Sequence, residues 1–420
     1  MADPQTFVVV GGGAAGFYCA VNAARMDPSL HVILLEKTSK LLSKVKVSGG
    51  GRCNVTHACF HISEMSKNYP RGGQFVKKTF GRHFTTDVIA WFEARGLTLK
   101  KEEDGRMFPI TNSSQSVIDC LLNEAAKYKV DVRMQADVKS ISHDNVTGNF
   151  RIDLSNGVSL NTKLLCIASG GFPKSSQFEW LTSTGHHIEE PVPSLFTFNM
   201  PANSITSLMG ITVPHVQVKI IGSKLQNEGP LLITHWGMSG PAILKLSAWA
   251  ARELAEKNYH FSILINWLPG YHEQSLKTEF QRIRFDHAAQ KIVNRNSFKL
   301  PSRLWEYFVQ LAGIHADLRW ADLAAREQNK LIKLLCAYES EVKGKTTFKE
   351  EFVTAGGIRL DEIDPGTMES RLIRGLFFAG EVMNVDGVTG GFNFQHAWTS
   401  GYIAAQGAIE RAAMLRNTSV

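Results

Sequence analysis

No stretch of this 420-residue chain reaches the ~18 consecutive apolar residues that a membrane-crossing helix requires. The first residues, MADPQT, carry neither a basic segment nor an apolar signal core, so the expected location is cytoplasmic and no membrane partner is expected. No CxxC pair occurs. The six cysteines stand scattered at 19, 53, 59, 120, 166 and 336, which is the usage of a reducing compartment and not a disulfide framework. One His/Cys grouping, Cys53, His57, Cys59 and His61, has metal-like spacing. It lies in a glycine-rich stretch with no outside ligand pair, and no metal is expected. There is no Arg-rich tail and no basic run interleaved with aromatics. The net charge of +7 and the cluster Arg71, Lys77, Lys78 and Arg82 are therefore read as attraction for anionic small ligands, and nucleic acid is not the expected partner. Internal repeats and low-complexity tracts are missing too.

What is present begins at residue 7. FVVVGGGAAG is a buried strand running into a glycine turn, and HVILLE ends on an acid twenty residues later. Gly11, Gly13 and Gly16 have the GxGxxG spacing. The first permits the tight turn, the second lets a pyrophosphate approach the backbone, and the third lets the helix pack close to the strand. Ala14 and Ala15 open that helix, whose N-terminal N–H groups and dipole favour phosphate. Glu36, followed by Lys37, stands where a ribose 2′-hydroxyl is held. Dinucleotide binding is the expected function of this region.

The fold class read from the pattern is α/β: a Rossmann-like dinucleotide domain built from both chain ends. Residues 1–189 and 346–420 form it, and an insert at 190–345 interrupts it. The insert divides into a β-barrel-like part, 190–270, and a helical, charged part, 271–345. Within the first segment, residues 37–73 read as a long polar connection and 86–95 as an amphipathic helix. Ser113 opens another helix, a hairpin turns at Gly148, and KLLCIA (163–168) is a buried strand. From residue 348 an apolar strand pattern returns in EEFVTAGGI and GLFFAGE.

Three segments resemble flavin-site elements. GLFFAGE places Gly380 and Glu381 after a strand, and TGGFN (Gly390, Gly391, Phe392, Asn393) opens the last helix. A helix N-terminus there stabilises negative charge developing on a reduced flavin. LLCIASGG, with Ala168, Ser169 and Gly170, is similar to the ATGG strand of the glutathione-reductase-like superfamily. The resemblance also implies a backbone contact to adenine from a residue placed like Val138. Most specific is SKVKVSGGGRCNVTH (43–57), which closely resembles the signature segment of the BaiN-like (YhiN-type) NAD(P)/FAD-dependent oxidoreductases. The TAGGI and AGEVxxVDGxTGGFNxQ segments match in order, and the resemblance covers essentially the whole chain. It implies FAD as cofactor, NAD(P)H as a candidate donor, and a Rossmann-type domain with barrel and helical inserts. It also implies cofactor contacts from Lys44, Lys46, Ser48, Gly49, Gly50, Gly51, Arg52, Cys53 and Asn54. The stretch FPKSSQFEWLTSTGHH departs from the Gly/Ser/Thr-rich pattern of many relatives, so no contact is carried over there.

Cys53 and Cys59 lie where flavin disulfide reductases carry a CxxxxC pair, but five residues intervene here, so Cys53 is expected to be a packing thiol. There is no second GxGxxG, so a nicotinamide cofactor would have no Rossmann unit of its own. Candidate catalytic groups are His396, about one turn into the last helix, His235 in ITHWGMSGP, and Arg52. The segment 234–241, with His235, Trp236 and Met238, is the expected wall of a substrate pocket. The expected activity is FAD-dependent hydride transfer through flavin N5 to or from a small organic substrate. Two alternatives stand beside it: a flavoprotein acting on RNA, and a non-catalytic redox module. The sequence does not set the oligomeric state or the substrate.

Overall fold

The computed structural model describes residues 5–346 and 353–417. Two compact units result. One combines residues 1–193 and 348–420, and the other is Ser194–Thr347. Residues 347–352, into which the returning strand pattern was read, lie outside the described residues, as do 1–4.

The first unit is organised by a five-stranded parallel sheet. Its order runs Leu376–Phe378, Leu164–Ile167, β1 (Thr6–Val10), β2 (His31–Leu35), Asp131–Arg133. Phe7 to Val10 and Leu164 to Ile167 are all buried, as strands covered on both faces must be, which is why they read as unbroken apolar runs. Helix α1 (Ala14–Met26) follows β1 directly and packs along the final helix, Phe392–Asn417. That contact is nearly backbone to backbone: a Cβ at Gly401 would stand 2.5 Å from the Ala15 carbonyl oxygen. The two chain ends thus share one sheet and one helix pair.

Two antiparallel three-stranded sheets accompany it. One holds Val138–Asp144, Asn149–Leu154 and Ser159–Thr162; the other holds Thr56–His57, Arg106–Pro109 and Leu99–Lys101. The amphipathic helix is Thr85–Glu93, with Val88, Trp91 and Phe92 buried. Ser113 caps helix Ser114–Lys127 through the Gln115 N–H. The segment 37–73 is more ordered than its polar composition suggests. It contains helix α2 (Ser43–Gly51), anchored by buried Val45, and helix Ile62–Ser66, anchored by buried Met65. Among the described residues no helix is long and apolar enough to cross a membrane.

The second unit carries a seven-stranded antiparallel sheet in the order Tyr338–Lys343, His260–Asn266, Thr212–Ile220, Gln226–Thr234, Gly237–Ser239, Thr197–Asn199, Lys345–Thr346. Its two edge strands are consecutive in sequence across Gly344, so the sheet curls until one piece of chain serves both edges. The Gly344 N–H donates to Tyr259 O, and its carbonyl accepts from Asn199 N. Helices Glu273–Asp286, Ser302–Leu311 and Ala325–Cys336 place Phe280, Trp305 and Leu331 in the same apolar core as Val218, Ile263 and Trp267. The expected division at 270/271 leaves helices Pro241–Trp249 and Ala251–Glu256 on the barrel side and both edge strands on the helical side, and sheet and helices share one core.

Candidate dinucleotide site

The glycine turn after β1 distinguishes three demands. At Gly11 (φ +117°) a Cβ would lie 2.3 Å from Ala168 O, and at Gly16 it would lie 1.9 Å from Gly11 O. Both positions are closed by the protein's own backbone. At Gly13 a Cβ would meet nothing within 4 Å. The space above Gly13, at the N-terminus of α1, is the cradle that a pyrophosphate fills. Glu36 follows β2 beside it: its carboxylate accepts from Gly12 N (2.9 Å), Thr38 N (2.9 Å) and Thr38 Oγ1 (2.8 Å). The Glu36 carbonyl accepts from Ala136 N, which brings the start of strand Val138–Asp144 near this acid. Lys37 lies over the Phe172 ring, 5.6 Å from its centroid.

Segments far apart in sequence close around the same turn. Ser169 Cα would stand 2.9 Å from a Cβ at Gly11, and Gly380 packs on Ala15. A Cβ at Gly171 would meet Thr354 Oγ1 at 2.5 Å and Glu381 Oε1 at 2.8 Å. Glu381 also accepts from Thr354 N (2.9 Å) and pairs with Lys44 Nζ (2.6 Å). Lys44 thus offsets the carboxylate that would otherwise repel a phosphate. Ser169 Oγ and Thr354 Oγ1 are buried with no hydrogen-bond partner among the described residues. Two unsatisfied hydroxyls beside an open cradle fit a polar ligand such as FAD. Thr354 was not foreseen as a site residue, although TAGGI was the signal that contained it.

The start of the final helix is clamped from three sides. The Asn54 amide, oriented to suit its neighbours, accepts from Gly391 N (2.9 Å) and donates to Thr56 O (3.0 Å). His57 stacks on Phe392 at 4.8 Å, and its Nδ1 lies 3.0 Å from Gly390 O. Asn393 both accepts from Gly387 N and donates to Gly387 O, at 2.8 Å each. Within α2 the backbone leaves the helix at Ser48, Gly49 and Gly50. Cβ atoms at Gly50, Gly51 or Gly170 would meet nothing within 4 Å, so these backbones border open space. Lys46 is exposed. The role of His57 went unrecognised in the sequence, where it figured only in a metal-like grouping; among the described residues no cluster of His, Cys, Asp and Glu could hold a metal.

Of the candidate catalytic groups, Arg52 and His396 belong to the first unit and His235 to the second. Arg52 pairs with Glu102 (2.6 Å) and lies 4.0 Å over the Phe108 ring, so its charge is engaged by the neighbouring hairpin. His235 belongs to the second unit, exposed at the turn after Gln226–Thr234, with its ring against Trp236. His396 is 2% exposed and its Nε2 lies 3.3 Å from Gly380 O. Burial pulls its pKa down to about 4, so near neutral pH the ring is uncharged. Cys53 is fully buried and its thiol is pushed up to about 12, which removes the thiolate that a dithiol mechanism needs.

These burials predict an acid-sensitive fold. His83, hydrogen-bonded to Tyr18 and stacked on Tyr402, is likewise lowered to about 4 by burial. Below pH 6.5 the unfolded chain takes up protons at both histidines while the folded chain does not until about pH 4. Stability is then fully present above pH 6.5 and falls as pH drops through that window, by on the order of 3 kcal/mol per histidine. Urea denaturation between pH 4 and 7 measures this slope, and His396→Gln should flatten it by about one proton. An unchanged slope would mean that His396 is not held neutral.

Comparison with known proteins follows the geometry. Residues 5–407 match the model of the HI0933-like protein Rossmann domain. A ribosomal RNA dihydrouridine synthase of Escherichia coli is 32% identical over 96% of this chain and 97% of its own length. A 3-dehydro-bile acid delta(4,6)-reductase of Clostridium scindens is 26% identical over 96% and 98%. Among solved structures, the 3-ketosteroid-delta4-(5alpha)-dehydrogenase of Rhodococcus jostii aligns with TM-score 0.50 at 14% identity, covering 96% of this chain and 97% of that one. A quinol–fumarate reductase aligns with TM-score 0.51 at 15% identity, covering 98% and 72%. At such identity these two share the fold alone. By the match over nearly its whole length, the chain belongs to the HI0933-like Rossmann family.

Proposed function

We propose that this protein is an FAD-dependent oxidoreductase that reduces a ring C=C bond conjugated to a carbonyl, with NAD(P)H as electron donor. The observation that carries the reading is the open cradle at Gly13, with Glu36 bonded to the neighbouring Gly12 and with the buried Ser169 and Thr354 hydroxyls left without a partner among the described residues. Bound FAD supplies a two-electron hydride carrier. In this reading Gly13 and the N-terminus of α1 hold the pyrophosphate, and Glu36 holds the adenylate ribose. Val138 offers backbone to adenine, and Lys44 neutralises Glu381 next to the phosphates. The start of the final helix at Phe392, fixed through Gly391 by Asn54 and through Gly390 by His57, would present its N-terminus to the flavin edge that gains negative charge on reduction. His396, neutral and buried behind this turn, positions Gly380.

The substrate class follows from chemistry shared by the relatives' names. Dihydrouridine differs from uridine by two hydrogens across one ring double bond, and a delta(4,6)-reductase acts on ring double bonds. A small polycyclic enone is the first substrate class. A uracil ring within RNA is the second, favoured by 32% identity over 96% of the chain to a protein named for that product and by the net charge of +7.

The test is direct. The purified protein is expected to be yellow and to release FAD on denaturation. Anaerobic mixing with NADH and NADPH separately is expected to bleach it with one of them. The reduced protein is then offered a steroid dienone and a uridine-containing RNA, and saturation of the double bond is read by mass. Release of FMN, or no flavin after reconstitution, sinks the reading; bleaching without turnover of either compound removes the substrate class.

A further inference from the structure

A buried tyrosine–histidine pair stands where hydride transfer has no use for it. Tyr18, on α1, is completely buried, and its hydroxyl lies 3.0 Å from His83 Nε2. That hydroxyl has no other hydrogen-bond partner among the described residues. If Nε2 carried the hydrogen, the phenol hydrogen would be left in the interior without an acceptor, so the phenol donates to a bare Nε2. Burial of His83 lowers its pKa to about 4 and keeps the ring uncharged at neutral pH, with a basic lone pair toward the phenol. Asp87 acts on the same ring in the opposite sense and favours its protonated form.

Two tryptophans flank the pair. Trp398, on the final helix, is centred 5.3 Å from Tyr18, and Trp91, on helix Thr85–Glu93, is centred 4.5 Å from it. Trp398 is completely buried, and its indole N–H donates to Val55 O (2.9 Å), next to the Asn54 that clamps the start of the final helix. The row of rings thus begins at the clamp. Its far end is electrostatically closed. The Arg95 guanidinium covers the Trp91 ring at 3.7 Å, and Glu124 offsets part of that charge. A positive hole on Trp91 is opposed at contact distance, whereas no cation lies over Trp398 or Tyr18 among the described residues.

We propose that Tyr18 is a redox-active tyrosine: a hole that enters at Trp398 passes to Tyr18, whose phenolic proton moves to His83. The oxidant is an oxygen-centred radical arriving at the clamp. It takes one electron from the Trp398 indole and is itself reduced. The indole radical cation takes one electron from Tyr18 and is restored. Tyr18 is left as a neutral phenoxyl radical, and its proton makes the His83 imidazolium. Positive charge never has to rest on the phenol, which an interior of low dielectric disfavours. Packing explains buried rings, but two apolar rings would pack there as well without burying two polar atoms. The purpose of the relay, drawing damaging oxidant away from the clamp, rests on the redox reading above. Its chemistry does not, and the first test needs no flavin.

The full-length protein is mixed with a ruthenium(II) polypyridyl and a sacrificial electron acceptor, and a light flash generates the ruthenium(III) oxidant. Transient absorption and electron paramagnetic resonance identify the radical that persists. Wild type is expected to show a neutral tyrosyl radical that forms more slowly in heavy water, because its proton moves with the electron. Tyr18→Phe is expected to lose that signal and to leave a tryptophan radical in its place. His83→Asn keeps an acceptor for the phenol but not a base, and is expected to lose the tyrosyl signal likewise. Blue light absorbed by bound flavin supplies an oxidant at the clamp itself, and there Trp398→Phe is expected to lose the Tyr18 radical. An undiminished tyrosyl signal in Tyr18→Phe, a tryptophan radical as the end-point in wild type, or equal rates in light and heavy water would each overturn the proposal. If a variant does not fold, the end-point radical and the isotope effect of wild type still decide. A colourless protein that forms the Tyr18 radical would sink the FAD reading and leave this one standing.

Discussion

Gly13→Val is expected to leave the protein folded and to strip it of flavin. The φ of Gly13 is −94°, which valine adopts without strain, and apart from the adjoining backbone nothing stands within 4 Å of the new Cβ. The only thing displaced is what fills the cradle. Gly16→Val is the opposite case: its Cβ would fall 1.9 Å from the Gly11 carbonyl oxygen, an overlap the strand and helix must separate to relieve. Stability should drop by about 3 kcal/mol or more. The visible-to-ultraviolet absorbance ratio and the melting curve of each variant check this pair. Flavin content below a tenth of wild type with a nearly unchanged apo-protein melt is expected for Gly13→Val. Stoichiometric FAD in that variant would mean that the pyrophosphate lies elsewhere.

Arg71→Ala is expected to cost about 3–5 kcal/mol. Arg71 holds Asp386 through two of its guanidinium nitrogens, and Asp386 is completely buried. Removing the arginine leaves a carboxylate in the interior without its counter-charge. The damage should spread to the clamp at the final helix, since Asp386 precedes Gly387, which Asn393 grips on both sides. Urea denaturation of the flavin-free protein measures the loss, and flavin release measures the spread. A cost below 1 kcal/mol would show that the pair is solvated in solution.

The pyrophosphate turn was legible because it is local. One strand, one turn and one helix start hold Gly11, Gly13 and Gly16, and Glu36 follows within the same β–α–β unit. What closes the turn from afar was legible only by resemblance: nothing local in LLCIASGG or TAGGI reveals that Gly171 would press on Thr354. Arg52 shows why charge alone does not assign a role. The residues that occupy it, Glu102 and Phe108, come from a hairpin some fifty positions later. His396 could be placed one turn into the last helix but not recognised as neutral. Fourteen of that helix's 26 residues are buried, on every side, so no polar face marks where water ends. The Arg71–Asp386 pair, 315 residues apart, left no trace in either motif.

The sheet that joins the two ends of the chain has a consequence during synthesis. Strand Leu164–Ile167 can pair with β1 once both have left the ribosome, but its other edge waits for Leu376–Phe378. At the ~5–20 residues per second of translation, that wait lasts roughly 10 to 40 s. Meanwhile Ser194–Thr347 emerges complete with both edges of its own curled sheet and can fold first. The nascent dinucleotide unit spends that interval with an open, fully apolar strand edge, the kind of surface that chaperones hold.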